Sequence, residues 1–289
     1  MTTHKLHTLH QRSFESNRFV YPVLSRRSRG ISIGVNLNPD KVCNFDCIYC
    51  QVDRRSESET RFVETEQYYD ELSHMLQLVH SGELYKTEKF AGTPGDLRRL
   101  NDIAFSGDGE PTTFKNFDQI IQRSAEIKQS LGLDEVKMVL ITNASMFHRP
   151  HVQQGLQIMD ANQGEIWAKL DAGTEAYYQQ IERTKIPFQQ IIDNITAAAQ
   201  LRPLVIQTLF MKVNGIGPAD EELNAYCDRL NEVTTAGGKL KLIQIYTVAR
   251  RPAESTVSQL PDEEVDRIAI LVHDQTGLEV ARFYGSSDY

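Results

Sequence analysis

Apolar positions along the chain switch between a period of two and a period near 3.6, and the switching predicts strand followed by helix, repeated. Ile31-Ser32-Ile33-Gly34-Val35-Asn36-Leu37 reads as the first strand, closed by Pro39. Tyr68, Leu72, Met75, Leu76 and Val79 then mark one face of a helix, with Thr65 as its N-cap and Gly82 as its stop. Ile103-Ala104-Phe105 reads as a short buried strand, Gly107 to Pro111 as a turn, and Phe117, Ile120, Ile121, Ile127 and Leu131 as a helix face. Met138 to Ile141 is a third strand, and Ile166 to Leu170 a fourth that precedes a helix from Thr174 to Ile181. Leu204 to Phe210 makes a fifth, before a helix whose Leu223, Tyr226, Cys227 and Leu230 share a side. Leu240 to Thr247 makes a sixth, before a helix after Pro261 carrying Val265, Ile268 and Val272, and Leu278 to Phe283 reads as the last strand.

Six or more strands alternating with helices call for parallel pairing, because a parallel neighbour needs a long crossover to bring the chain back. Either an open doubly wound sheet or a full or partial barrel satisfies this. In both, loops leaving the strand C-termini build the site. The cysteine-bearing loop, the Gly107 turn, Asn143 and Asp171 all follow strand ends. Ahead of the first strand lies a polar arm, and residues 85–100 and 249–260 read as long excursions.

Composition narrows the function. The 289 residues are 40% hydrophobic and 24% charged, which is ordinary globular usage and excludes disordered and collagenous chains. Lys plus Arg is 31 and Asp plus Glu 39, a net charge of −8 that does not favour holding nucleic acid by an overall field. No apolar run is long enough for a membrane span, and Met1 to Phe14 lacks the apolar block of a secretory signal. Of four cysteines, Cys43, Cys47 and Cys50 fall within eight residues, the opposite of a spread disulfide framework. A reducing cytoplasm is the expected compartment.

Cys43-Asn44-Phe45-Asp46-Cys47-Ile48-Tyr49-Cys50 spells C-x3-C-x2-C, a loop offering three thiolates to one inorganic centre. A structural zinc wants four ligands, and no fourth Cys or His lies nearby in sequence. A cubane of four irons held by three thiolates keeps one iron open to a further ligand. An electron-transfer protein or a zinc-binding regulatory module are the alternatives from other classes. Hydrolase and nucleotidase readings are weaker, since neither G-x-S-x-G, H-E-x-x-H nor G-x4-G-K-[ST] occurs.

The cysteine motif, with an aromatic before its last cysteine and a place after the first strand of a strand-helix repeat, resembles the signature of the radical S-adenosylmethionine (SAM) superfamily. Ser25-Arg26-Arg27, Gly34 to Leu37, Phe105-Ser106-Gly107-Asp108-Gly109-Glu110-Pro111 and Ile141-Thr142-Asn143 further resemble its wybutosine-synthesis-like Fe-S oxidoreductase branch. The resemblance implies an α/β fold, a partial (β/α)6 barrel over residues 30–247, with residues 1–29 as an N-terminal extension and 248–289 as a C-terminal helix and strand completing the domain. It implies a [4Fe-4S] cluster on Cys43, Cys47 and Cys50, which are thereby both metal ligands and catalytic. In the family an electron from the cluster splits SAM into methionine and a 5′-deoxyadenosyl radical, which takes a hydrogen atom from substrate. A flavodoxin- or ferredoxin-like donor is implied as reductant.

Cofactor-binding roles follow where residues match. Gly107, Gly109 and Glu110 resemble the family's glycine-glycine-glutamate segment, with Asp108 interrupting the glycines. Tyr49 resembles the aromatic beside the adenine. Lys169 and Asp171 stand where the family places polar groups against ribose or carboxylate, Asn143 and Ser145 offer further hydrogen bonds after the third strand, and Gln207, Gln244 and Tyr246 are weaker candidates. Each has a duller alternative: Glu110 as a capping carboxylate, Lys169 and Asp171 as a surface ion pair, Tyr49 as core packing. Asn143-Ala144-Ser145 also matches a glycosylation acceptor, which would require secretion. Cys227, on an apolar helix stripe, is expected to be a buried, inert thiol. No cysteine precedes Cys43, so the second cluster of wybutosine-forming relatives is not expected. Between Arg18 and Arg55, seven basic residues (Arg18, Arg26, Arg27, Arg29, Lys41, Arg54, Arg55) face three acidic ones (Asp40, Asp46, Asp53). That excess suits an anionic substrate such as a nucleoside or tRNA, and equally a solvated charged face. Arg183, Lys185, Arg250 and Arg251 could extend it.

Overall fold

The computed structural model describes residues 14–285 except Arg26, Arg55, Glu59 and Arg251, so those three arginines of the basic reading lie outside the described residues. The chain divides into two compact units. One comprises Met1–Cys43, Arg54–Ile141 and Arg149–Glu165; the other comprises Asn44–Asp53, Thr142–His148 and Ile166–Tyr289.

In the first unit β1 (Val20–Ser25) runs antiparallel to β2 (Gly30–Asn36), with Val20 opposite Val35 and Ser25 opposite Gly30. Parallel neighbours β3 (Leu100–Ser106) and β4 (Lys137–Thr142) follow in that order. The sequence reading placed residues 20–25 in a polar arm. They form a strand because Val20, Tyr21 and Leu24 find a buried face, and Pro22 is tolerated where β1 pairs with β2 alone. Glu71 of α1 (Thr65–His80) fixes where β1 begins: its buried carboxylate accepts from the backbone of Arg18, Phe19 and Val20 at 3.0, 2.8 and 3.1 Å. All five apolar residues expected on the α1 face are buried. Thr65 is the first helical residue rather than the cap, a position held by Glu64, whereas Gly82 adopts the left-handed φ of 81° expected of a stop.

Helix α2 (Phe117–Ser130) is as expected, while α3 (Pro150–Asp160) has no counterpart in the sequence reading. Its stripe is sparse, with Val152, Leu156 and Met159 buried around Gly155, and Gly155 is small because a Cβ there would meet the Phe117 ring at 2.6 Å. Behind α2, Lys128 is 1% exposed and its ammonium donates to the carbonyls of Asp134, Val136 and Asn162 at 3.0, 2.8 and 3.1 Å. Replacing it by Met strands those carbonyls, so Lys128→Met is expected to cost about 3 kcal/mol, read as a lower thermal midpoint. An unchanged midpoint would mean that water takes over the three bonds.

In the second unit β5 (Gly164–Lys169), β6 (Leu204–Leu209), β8 (Leu240–Tyr246) and β10 (Val280–Phe283) pair in that order, all parallel. The intervening helices are α4 (Glu175–Glu182), α5 (Phe188–Leu201), α6 (Asp220–Thr235) and α7 (Asp262–Thr276). Helix α5 was not anticipated, although Ile191, Ile192, Ile195 and Ala199 line its buried side; its β-branched residues weaken the helix signal. The 249–260 excursion carries β9 (Val257–Ser258), which pairs with β7 (Lys212–Val213). Among the described residues no helix is long and apolar enough to cross a membrane.

Candidate functional site

The loop between β2 and α1 carries the three clustered cysteines, Cys43 in the first unit and Cys47 and Cys50 in the second. All three are half-buried, and none is in a disulfide. In the second unit the loop is gripped by the end of α4. Asp46 N–H donates to Glu182 O (3.0 Å), Ile48 N–H to Ile181 O (2.9 Å), and the Thr184 hydroxyl to Asn44 O (2.9 Å). Phe45 packs edge-on against Tyr178, with ring centroids 6.0 Å apart. Cys50 N–H turns back to Cys47 O, and Cys50 O accepts from Ala253 N–H. Backbone bonds, not thiols, therefore set much of the loop's path.

A buried polar network lies against this loop. Lys169, at the end of β5, pairs with Asp171 at 2.9 Å and donates to the Tyr246 hydroxyl at 2.9 Å. Its ammonium stands 5.0 Å from the Tyr49 ring centroid and 5.4 Å from that of Tyr246. The Tyr49 hydroxyl donates to Asp171 Oδ2 at 2.6 Å and to Glu182 Oε1 at 3.2 Å, and Cys47 Sγ donates to Glu182 Oε2 at 2.6 Å. The other Asp171 oxygen accepts from Leu209 N–H. Side-chain exposure is 18% for Lys169 and none for Asp171, so the surface ion-pair alternative does not hold. Burial alone would lower the Lys169 ammonium, but Asp171 and then Tyr246 outweigh it and hold its pKa up. Burial, then the adjoining Asp171 charge, pushes Glu182 up to about 8. Burial and then Glu182 push up the Cys47 thiol, and burial and then Asp171 push up the Tyr49 phenol.

Asn143 and Ser145, just beyond β4, close a second ring of bonds. Asn143 Oδ1 accepts from the Ser145 amide and hydroxyl at 3.1 and 2.6 Å. Asn143 Nδ2 reaches Asn44 Oδ1 at 2.8 Å, and Asn44 Nδ2 reaches Ser145 Oγ at 2.7 Å. Both candidates thus brace the residue after Cys43. On later strands, Gln207 and Gln244 are buried and hydrogen-bonded to each other at 3.1 Å. Cys227 is fully buried, and desolvation, then Asp228, lifts its thiol to about 11, the inert state expected of it.

The glycine-glutamate segment belongs to the first unit. Asn36 Oδ1 accepts from the amides of Asn38 and Asp108 at 3.1 Å each, and Asn36 Nδ2 donates to Asp108 Oδ2 at 2.7 Å. Gly107 presses on Asn36, and Gly109 on the Val42 carbonyl and on Asn38, whose Cβ would lie 2.7 Å from an added Cβ. Both positions therefore need glycine. Glu110 is buried, and its Oε1 accepts from the Thr112 amide (3.2 Å) and hydroxyl (2.6 Å), capping the short 3-10 helix Pro111–Thr113. In the basic segment, Lys41 and Arg54 brace their own loop: Arg54 donates to Lys41 O, and the Lys41 ammonium to the Ser56 hydroxyl. Arg183 is paired with Glu254 at 2.9 Å and lies 3.7 Å from Asp46.

Three site residues escaped the sequence reading. Asn36 and Asn44 lie in the Gly34–Leu37 phrase and the cysteine motif, but as short polar residues they carry nothing that marks their own roles. Glu182 does carry a signal, since it falls four residues after buried Tyr178 and beside Ile181, on the apolar stripe of α4.

The donor chemistry fits an iron-sulfur cluster: three cysteines outside any disulfide on one loop are the ligands such clusters take, and among them Cys47 bonds a buried partner group. Among the described residues no three His, Cys, Asp or Glu side chains are grouped to enclose a single metal ion.

The profile of the Radical SAM superfamily matches residues 37–230, and the chain belongs to that superfamily. Membership supports the general SAM-cleaving radical chemistry of the superfamily, and the family implies SAM and an iron-sulfur cluster as cofactors. A UPF0026 protein of Helicobacter pylori is 27% identical over 252 residues, covering 84% of this chain and 70% of its own length. A Brachyspira hyodysenteriae protein named GTPase Obg is 25% identical over 257 residues, 88% of this chain; the chain spans 33% of that relative. A radical SAM methyltransferase from Sphaerobacter thermophilus superposes with a TM-score of 0.61 at 12% identity, over 91% of this chain and 68% of that one. TYW1 with a lysine-pyruvate adduct bound superposes at 0.52 with 16% identity, over 86% and 74%. The fold shared with these structures is the expected α/β fold.

Proposed function

We propose that the chain is a radical SAM oxidoreductase whose Cys43, Cys47 and Cys50 hold a [4Fe-4S] cluster with one iron left for SAM. The C-x3-C-x2-C loop within the matched segment carries the reading. When bound, the cluster supplies the electron that splits SAM into methionine and a 5′-deoxyadenosyl radical. The polypeptide's part is to hold the loop, orient SAM and keep water and stray hydrogen donors away.

Gly107 and Gly109 keep the turn packed on Asn36, Asn38 and Val42 beside the proposed methionine subsite, and Glu110 sets a carboxylate for the ammonium of the methionine part. Tyr49, fixed through its hydroxyl by Asp171 and Glu182, offers its ring to the adenine. Lys169, Asp171 and Asn143 supply polar groups to the ribose and carboxylate. The substrate, for which a nucleoside, a tRNA and other anionic compounds are the candidates, gives up a hydrogen atom. The reductant is a flavodoxin- or ferredoxin-like protein, and the compartment is the cytoplasm.

Glu110→Gln tests the cofactor assignment cleanly, because the amide oxygen can still cap Thr112 while the charge is lost. Removing one charge-assisted bond is expected to weaken SAM binding about 10- to 100-fold, with iron content unchanged. Equilibrium dialysis with labelled SAM reads this, and wild-type affinity would remove Glu110 from the site.

A further inference from the structure

Glu182 ends α4, yet it is only 3% exposed and its carboxyl group faces the cysteine loop. Its two oxygens take different loop residues: Oε2 lies 2.6 Å from Cys47 Sγ, and Oε1 lies 3.2 Å from the Tyr49 hydroxyl. The same turn holds the loop backbone through Ile181 O and Glu182 O, which accept from Ile48 and Asp46. One side chain thus spans a cluster cysteine and the neighbouring aromatic, from a helix whose own N-terminus is capped by Thr174.

Resting on the cluster reading above, we infer that Glu182 is a positioning residue that fixes the Cys47 sulfur relative to the Tyr49 hydroxyl. Groups behind a ligand set its orientation, and their loss typically costs metal affinity about 10- to 100-fold. The geometry also says which substitute serves. In Glu182→Gln the amide oxygen can accept from Tyr49 while the amide N–H donates to a thiolate. In Glu182→Met the volume remains and both bonds are lost.

The test compares wild type, E182Q and E182M after anaerobic reconstitution, following iron release to a coloured ferrous chelator. Hydrogen exchange at the Asp46 and Ile48 amides is followed in the iron-free proteins. E182M is expected to release iron at least about tenfold faster and to exchange those amides faster, with E182Q close to wild type in both. E182M matching wild type overturns the inference, as does E182Q being as labile as E182M. Should E182M not fold, as judged by circular dichroism, Tyr49→Phe decides: the ring stays, the hydroxyl's bonds to Glu182 and Asp171 both go, and wild-type iron release would overturn the inference. A wild type that takes up no iron refutes the cluster reading instead, and the exchange comparison then still reads whether Glu182 holds the loop.

Discussion

Alanine in place of Cys43, Cys47 or Cys50 is expected to abolish 5′-deoxyadenosine formation in anaerobically reconstituted protein while the secondary structure survives. The effect on chemistry is complete because, in the proposed assignment, each thiolate is one of three protein ligands, and the loop offers no further Cys or His. The effect on the fold is small for a separate reason. All three cysteines are half-buried, and the loop path is set by the Asp46 and Ile48 amides on α4, bonds that an alanine variant keeps. Cys47→Ala removes one partner of Glu182 but leaves Tyr49 in place. Chromatographic assay of 5′-deoxyadenosine, with far-ultraviolet circular dichroism on the same samples, separates the two effects. Retained product in any of the three variants would contradict the ligand assignment.

Lys169→Met is expected to be the most destabilising single change in the second unit. It leaves Asp171, whose side chain has no exposure, without its counter-ion. Breaking a buried pair from one side costs about 3–5 kcal/mol, more than the pair itself contributes, because the remaining charge stays desolvated. For a chain of this size the thermal midpoint falls by roughly 5–8 °C. The double variant Lys169→Met/Asp171→Asn is expected to recover part of the loss. The oxygen of the introduced carboxamide can still accept from Leu209 N–H, and its N–H can donate to the Tyr49 oxygen. Calorimetry of both single variants and the double variant gives the coupling directly. Additive losses would mean that the two residues do not act as a pair.

The contrast between these two predictions shows where sequence informs and where it does not. The proposed cysteine ligands are legible because such chemistry depends on residue type and spacing along one short stretch. Strands at Ile33, Phe105, Leu140 and Ile206 are legible for the same reason, as alternating or contiguous apolar runs that the core then buries. Lys169 and Asp171 could be named but not placed. Whether a charged pair at a strand end meets water depends on Leu209, Tyr246 and Tyr49, which lie 38, 77 and 122 positions from their partners in the pair. Asn143 and Ser145 were named for the cofactor and are found bracing Asn44, a partner that only the fold supplies. Glu110 keeps both of its readings: it caps Thr112 as the dull alternative had it, and its charge is what the Gln variant tests. Strand β1 and helices α3 and α5 were missed where proline, glycine or β-branched residues blur the period that marks an element.

Electron paramagnetic resonance of the reduced, anaerobically reconstituted protein, recorded with and without SAM, bears most directly on the proposed chemistry. A cubane with an open iron gives a reduced-cluster signal that SAM alters, and Cys43→Ala gives neither the signal nor the response. A signal indifferent to SAM, or a colourless protein that carries zinc unchanged in air, would contradict the account.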